Sequence, residues 1–356
     1  MMTDSLLVIL NALPEPVFLA DADRRITLAN GAARQLFGEG LIGKDFLDAV
    51  RHPDALNCID AVLSGQAKAE TVISLPVPVR TTYRVSAMRL GSSDESGATA
   101  VISLHDISHV LEAEQMRSDF VANVSHELRS PLTALSGGIE TLKGAAKEDA
   151  AGRKRFLDIM EREAARMNRL VGDLLSLSSV EVNEHVRPSE KVNVLGVVES
   201  VVASLETQAR AEKKPIRLER PEDDWYVLGD EDELTQVFQN LIENALRYSR
   251  EESEVSVSFS GLDRVSGIEG PALGIVVKDQ GEGIAADNIP RLTERFYRVD
   301  GSRSREKGGT GLGLAIVKHI LNRHRGRLII ESEKGVGSTF TACLPLPLAV
   351  QKKPVS

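Results

Sequence analysis

The chain has 356 residues, 42% apolar and 27% charged, which suits two or three globular domains and excludes a disordered chain. A net charge of −9 argues against a broad basic surface for nucleic acid or anionic lipid. Two distant cysteines, Cys58 and Cys343, have no metal-type spacing; they exclude a disulfide framework and read as buried thiols in a reducing compartment.

The apolar opening, "SLLVILNALPEPVFLA", is broken by Asn11, Pro14, Glu15 and Pro16 and lacks a basic flank, so it reads poorly as a signal peptide. No window supplies the roughly 20 apolar residues of a spanning helix. The chain is expected to be cytoplasmic with no membrane span, any membrane association coming from a partner or an anchor outside this sequence. Over residues 5–107 the pattern is short and mixed. "PVFLAD" reads as a strand, "RRITLANGAARQLFG" as a strand running into a helix, and "TVISLPV", "TYRVSAMRL" and "TAVISLHDI" as further strands. Such alternation predicts an α+β module of sensor size.

At Ser108 the period becomes helical. Residues 108–117 read as a linker helix and 118–183 as an antiparallel helical hairpin. Its first helix carries Val121, Leu128, Leu135 and Leu142, seven apart. After the turn-rich "KGAAKEDAAG" comes a second stripe, Phe156, Ile159, Met160, Met167, Leu170, Leu174 and Leu177. A hairpin of this size buries its stripes best by dimerising into a four-helix bundle. Residues 190–347 interleave helices, such as "DELTQVFQNLIENALRYS", with strands "VSVSFS", "GIVVKD", "RLIIESE" and "STFTACLPL". That predicts an α/β sandwich. Residues 348–356 read as a tail.

The first hairpin helix contains an unusual run, "FVANVSHELRSPLTAL". With Val121 at heptad position a, His126 falls at f, opposite the seam, where an imidazole meets solvent and can react near neutral pH. Glu127 lies beside it and Ser130 one turn later on the same face. Pro131 removes its own N–H and costs the helix about 3 kcal/mol, so a kink is expected. From this helix alone, a surface histidine near an incidental proline is the other reading.

"SHELRSPL" resembles the phosphoacceptor box of sensor histidine kinases, with matches at Phe120, Asn123, Arg129 and Pro131. The resemblance implies that His126 is phosphorylated and that Glu127 is its acidic neighbour, accepting a hydrogen bond from the second ring N–H. Many relatives have Thr or Asn where this chain has Ser130. The family ties that position to dephosphorylation of the partner, and Ser130 departs from the family pattern there, so the resemblance implies a phosphatase activity less firmly than the kinase activity.

Downstream, "QNLIENALRYS" puts Asn240, Asn244, Arg247 and Tyr248 on one helical stripe. Amide oxygens suit Mg²⁺, which keeps waters and substrate phosphates as its other ligands. A hydrated helix face is the alternative. In "VVKDQGEGI", Asp279 ends a strand, and Gly281 and Gly283 let the backbone approach a flat ring. "SRSREKGGTGLGLAIVKHI" follows. Gly308, Gly309, Gly311 and Gly313 precede an apolar helix whose N-terminal amides can hold phosphate. Arg303, Arg305 and Lys307 add cations to a segment that reads as a lid. No strand precedes this glycine run, so it is not a dinucleotide fingerprint. The P-loop pattern and the Ser/Thr/Tyr kinase motifs do not occur.

In this order the boxes resemble the ATP-binding domain shared by histidine kinases and the gyrase, heat-shock-protein and mismatch-repair ATPases. The resemblance implies Mg²⁺ at Asn240 and Asn244, a phosphate contact from Arg247, and packing of Tyr248 near the adenine. It implies adenine recognition by Asp279 beside Gly281 and Gly283. Phosphate would be held at the turn Gly309, Thr310, Gly311, Leu312 and Gly313, with Lys307 and Phe296 of "ERFYRVD" also binding the nucleotide. The N-terminal segment "PVFLADADRRITLANGAARQLFG" resembles the opening of a PAS sensor domain, and "HDIS" with Asp106 its usual exit. PAS domains bind haem, flavin, small acids or nothing, and His52 and His105 read as solvated or core residues. The three-part order is similar to the phosphate-regulon type of sensor kinase.

The resemblance implies a homodimer that uses ATP and Mg²⁺ to autophosphorylate His126. The phosphoryl group then passes to an aspartate on a separate response regulator, and no direct nucleic-acid contact is expected. Two other functions share these residues. One is an ATPase that releases inorganic phosphate and labels nothing. The other is a dimeric PAS scaffold without activity.

Overall fold

The computed structural model describes residues 2–76, 80–91, 98–222, 224–299 and 309–347, with side chains from Leu7 onward. The chain divides into two compact units, Met1–Ala122 and Asn123–Ser356. No helix among the described residues is long and apolar enough to cross a membrane.

The first unit is built on a five-stranded antiparallel sheet in the order β2-β1-β5-β4-β3. Its strands are β1 (Val17–Ala20), β2 (Ile26–Ala29), β3 (Lys68–Leu75), β4 (Thr81–Arg89) and β5 (Ala100–Asp106). Period-2 alternation explains the choice of face. On β4, Tyr83, Val85 and Ala87 are buried, while Arg84 and Met88 point out. Helices α2 (Gly31–Phe37), α3 (Phe46–Ala49) and α4 (Pro53–Leu63) cover the buried face. Phe18, Phe46, Ile59 and Ile102 form a closed core there, with Phe18 meeting Phe46 edge-on at 5.3 Å.

The apolar opening is a helix, α1 (Met2–Asn11), whose Leu10 joins Val17, Leu19 and Leu28 in a smaller cluster. Asn30 fixes this arrangement. Its side chain is fully buried. Oδ1 accepts from Val17 N at 3.0 Å and from Ala33 N at 2.9 Å, while Nδ2 donates to the carbonyls of Leu10 (2.9 Å) and Glu15 (2.8 Å). One side chain thus caps α2 and ties the exit of α1 to β1. Asn30→Ala strands three buried backbone groups and one part-buried carbonyl, and is expected to destabilise this unit by on the order of 3 kcal/mol. Thermal denaturation of the full chain checks this, and an unchanged first transition would contradict it.

Helix α5 (Ser108–Lys143) runs from the first unit into the second, where it pairs with α6 (Ala150–Asn183). Asp149 ends the turn between them by accepting from Ala151 N at 3.1 Å. The d positions of the predicted heptad are Val124, Pro131 and Gly138. Pro131 and Gly138 are buried, and a Cβ on Gly138 would lie 2.9 Å from Met160 Sδ. The helix is unbroken through Pro131 because burial of the ring on this seam supports a turn that lacks one hydrogen bond.

The rest of the second unit is a two-layer sandwich. Its sheet has the order β11-β12-β10-β9-β7, with β7 (Ile216–Leu218) parallel to β9 (Val255–Leu262). The central strands are β10 (Ala272–Asp279) and β12 (Gly337–Pro345), and β11 (Arg327–Glu333) closes one edge. Helices α7 (Val194–Ala211), α8 (Glu231–Tyr248) and α9 (Gly313–Arg323) form the other layer, with α8 in the middle and lying on β10. Val237, Phe238, Leu241 and Ile242 of α8 are fully buried, each contributing roughly 1.5–3 kcal/mol. A short pair, β6 (Glu190–Asn193) with β8 (Tyr226–Gly229), leads into α7 and α8.

Candidate functional site

Helix α8 is amphipathic, and its two faces have different tasks. Asp230 caps it by accepting from Glu233 N at 3.1 Å. The apolar face packs on β10. The polar face turns Asn240, Asn244, Arg247 and Tyr248 toward a cavity of about 890 Å³. Asn240 Nδ2 donates back to Gln236 O at 2.9 Å, which leaves Oδ1 toward Gly313. A Cβ on Gly313 would come within 2.5 Å of that oxygen. Glycine is therefore required where the first turn of α9 meets the amide. At the far end of α8, buried Lys214 donates to Leu246 O at 2.5 Å and to Glu212 at 3.1 Å, placing a cation on the helix's negative end.

The other wall comes from the end of β10. Asp279 is 3% exposed, and its Oδ1 accepts from Gly281 N at 2.8 Å and Ser338 N at 3.3 Å. Burial pushes its carboxyl above the ordinary range, and the two amides pull the other way. Gly283 has φ +66°, and a Cβ there would collide with the carbonyl of Glu333. Ser249, the C-cap of α8, bridges to Gly281 beside this wall, and its Oγ is buried with no hydrogen-bond partner among the described residues. An orphaned hydroxyl beside a buried carboxylate suits a polar flat ligand such as a base edge.

The glycine turn closes the cavity. Gly309, Thr310, Gly311 and Gly313 line it, and the N-terminus of α9 begins at Gly313. Among the described residues, Gly281, Phe296 and Leu312 do not line the cavity; they support it. Phe296 sits at φ +64° and donates its N–H to Gly311 O at 2.8 Å. Leu312 is a core residue whose N–H donates to Thr310 Oγ1 at 3.3 Å. Arg303, Arg305, Lys307 and Gly308 lie outside the described residues. Tyr248 lines the cavity but remains 42% exposed. The donor set fits ATP–Mg²⁺: two amide groups one turn apart, a helix N-terminus, an orphaned hydroxyl and a buried carboxylate.

On α5, His126 and Ser130 are exposed. Glu127 departs from expectation. Its carboxylate pairs with Arg166 of α6 at 2.5 Å and with Arg298 at 3.7 Å, rather than being held by the neighbouring imidazole. Two guanidinium groups outbid one imidazole N–H for a half-buried carboxylate. Sequence reasoning missed a second group of residues altogether. Arg169 and Asp173 of α6 also line the cavity, whereas His126 does not. Asp173 Oδ2 accepts from Thr310 Oγ1 at 2.6 Å. Further along α6, Ser176 donates to Gln236 at 2.7 Å, Arg295 pairs with Glu181 at 2.5 Å, and His319 meets Glu184 at 3.1 Å. The α/β sandwich is thus docked against the second hairpin helix.

Comparison with known proteins agrees with this layout. Residues 5–69 match a PAS domain, residues 116–183 the His Kinase A (phospho-acceptor) domain, and residues 229–348 the histidine kinase-, DNA gyrase B- and HSP90-like ATPase. The chain is 35% identical over 336 residues to the phosphate regulon sensor protein PhoR of Pseudomonas aeruginosa, covering 93% of this chain and 72% of that protein. It is 38% identical over 267 residues to the sensor histidine kinase WalK of Bacillus subtilis, covering 75% of this chain but 42% of that protein. Among solved structures, the histidine kinase ThkA in complex with the response regulator protein TrrA shares the fold. The TM-score is 0.50 at 19% identity, over 94% of this chain and 97% of that one. The chain belongs to the sensor histidine kinases, a protein-histidine kinase with PAS, phosphoacceptor and ATP-binding modules in that order.

Proposed function

We propose that ATP bound between Asp279 and the Gly309–Gly313 turn donates its γ-phosphoryl group to His126, and that phospho-His126 passes it to an aspartate of a separate response regulator. The observation that carries this reading is the pairing, within one unit, of a solvent-exposed His126 with the cavity walled by Asn240, Asn244 and Asp279. Asp279 and Ser249 read the base, while Arg247 and the α9 N-terminus hold phosphate. Asn240 and Asn244 would hold Mg²⁺, which when bound neutralises phosphate charge. A ring nitrogen of His126 attacks the γ-phosphorus in line as the bond to the bridging oxygen breaks. The other ring nitrogen keeps its proton. His126 is outside the cavity in the docked arrangement, so transfer requires the sandwich to leave α6 and swing to α5. Glu127 then turns from Arg166 and Arg298 to accept from the imidazole. Glu127→Gln is expected to slow labelling on the order of 10²-fold. ATP affinity, measured by calorimetry, stays unchanged.

The modules are proposed to span 5–107, 108–117, 118–183 and 190–347. Dimerisation through the hairpin accounts for Leu132 and Ile139 on α5 and Leu175 and Val182 on α6, all exposed and seven apart in each pair. A cytoplasmic setting follows from the use of ATP. Ser130 stands ready for the phosphatase step, and the PhoR relative's name supplies phosphate supply as the input class.

Incubation with γ-labelled ATP and Mg²⁺ tests this reading. The expected product is acid-labile, alkali-stable label on the protein. Release of inorganic phosphate without labelled protein would instead favour a hydrolase of the same nucleotide-binding class.

A further inference from the structure

Asp173 belongs to the hairpin, yet it stands in the nucleotide cavity. Its Oδ2 accepts from Thr310 Oγ1 at 2.6 Å, and the same hydroxyl accepts from Leu312 N at 3.3 Å. Leu312 directly precedes α9, so the carboxylate sits at the turn whose amides are oriented for phosphate. An anion therefore already stands where the ligand's anionic end belongs. Its charged neighbours are mixed: Glu243 repels the carboxylate, while Arg169 and Arg247 attract it. Burial pushes the Asp173 carboxyl above its ordinary range, as expected for a charge held with incomplete compensation. The position is braced by Ser176–Gln236 three residues further along α6, and by Arg295–Glu181 beyond it.

We propose that Asp173 is a nucleotide-discriminating residue supplied by the hairpin: its carboxylate competes with nucleotide phosphates for Thr310 and the N-terminus of α9. The docked arrangement then tolerates the nucleotide with fewer phosphate charges, and the more highly charged nucleotide releases it. This rests on the ATP reading of the cavity. The argument is electrostatic. A second anion at this turn meets a fixed carboxylate at close range in a partly buried site, and the cost rises with the ligand's charge. A neutral nucleoside pays none of it.

Calorimetric titration of the full chain with ATP, ADP and adenosine, in wild type and in Asp173→Asn, provides the test. Asparagine keeps an acceptor for Thr310 and removes only the charge. The substitution is expected to tighten ATP on the order of tenfold, ADP by less, and adenosine not at all. A second measurement follows docking directly. Cysteines at Ser176 and Gln236, joined by a short bismaleimide, report the docked state. ATP should slow this cross-link strongly and ADP weakly, and Asp173→Asn should remove the effect of ATP. If wild type binds ATP but Asp173→Asn changes neither the affinities nor the cross-linking, the Asp173 inference is overturned and the ATP site stands. If wild type binds no ATP, the site reading itself falls.

Discussion

His126→Gln is expected to lower protein-bound phosphate from γ-labelled ATP by on the order of 10³-fold or more, because it removes the attacking nitrogen itself. Glutamine retains polarity and helix propensity, and the residue it replaces is solvent-exposed, so the fold has no reason to change. ATP affinity should be unaltered, since His126 does not line the cavity. This combination separates the account from a misfolded variant, which would lose both properties. Label that survived the substitution would place the phosphoacceptor elsewhere.

Asn244→Ala is the second large effect. Asn240 and Asn244 are one turn apart on α8 and line the same cavity. Asn240 is already oriented by its bond to Gln236 O. Loss of one of the two amide oxygens of the proposed Mg²⁺ site is expected to cost on the order of 10²-fold or more in labelling. Adenosine binding should persist, because Asp279 lies on the opposite wall, at the end of β10, and Ser249 caps α8 beside it. The readout is Mg²⁺ dependence: ATP affinity in the variant should no longer respond to Mg²⁺. Normal labelling in Asn244→Ala would mean that the metal is held by other groups.

Much of this architecture was legible in the sequence because it follows local periodicity. The alternation in "TYRVSAMRL" became β4, and the stripe of Asn240, Asn244, Arg247 and Tyr248 became the polar face of α8. The seam of the hairpin was legible in outline, although Pro131 and Gly138 carry it where an apolar repeat would show leucine. Less legible was whatever depends on residues far apart in the chain. Glu127 meets Arg166 across 39 positions and Thr310 meets Asp173 across 137, and no spacing rule connects such pairs. Arg169 and Asp173 sit on the polar side of an amphipathic helix, where a solvated face is the ordinary expectation. Nothing within "RRITLANGAARQLFG" singles out Asn30; its role as a clamp depends on where α1 packs. Phe296 was expected at the ligand, yet it acts one step back by shaping the turn through its backbone N–H.

Seven histidines allow a direct discrimination. Peptide mapping by mass spectrometry, after brief incubation with ATP–Mg²⁺ and digestion at alkaline pH, should find a single phosphorylated imidazole in the peptide spanning Phe120 to Arg129. Phosphate located instead on His105, His185 or His319, or a protein that consumes ATP and stays unmodified throughout, would contradict a transfer from the glycine-turn cavity to the exposed face of α5.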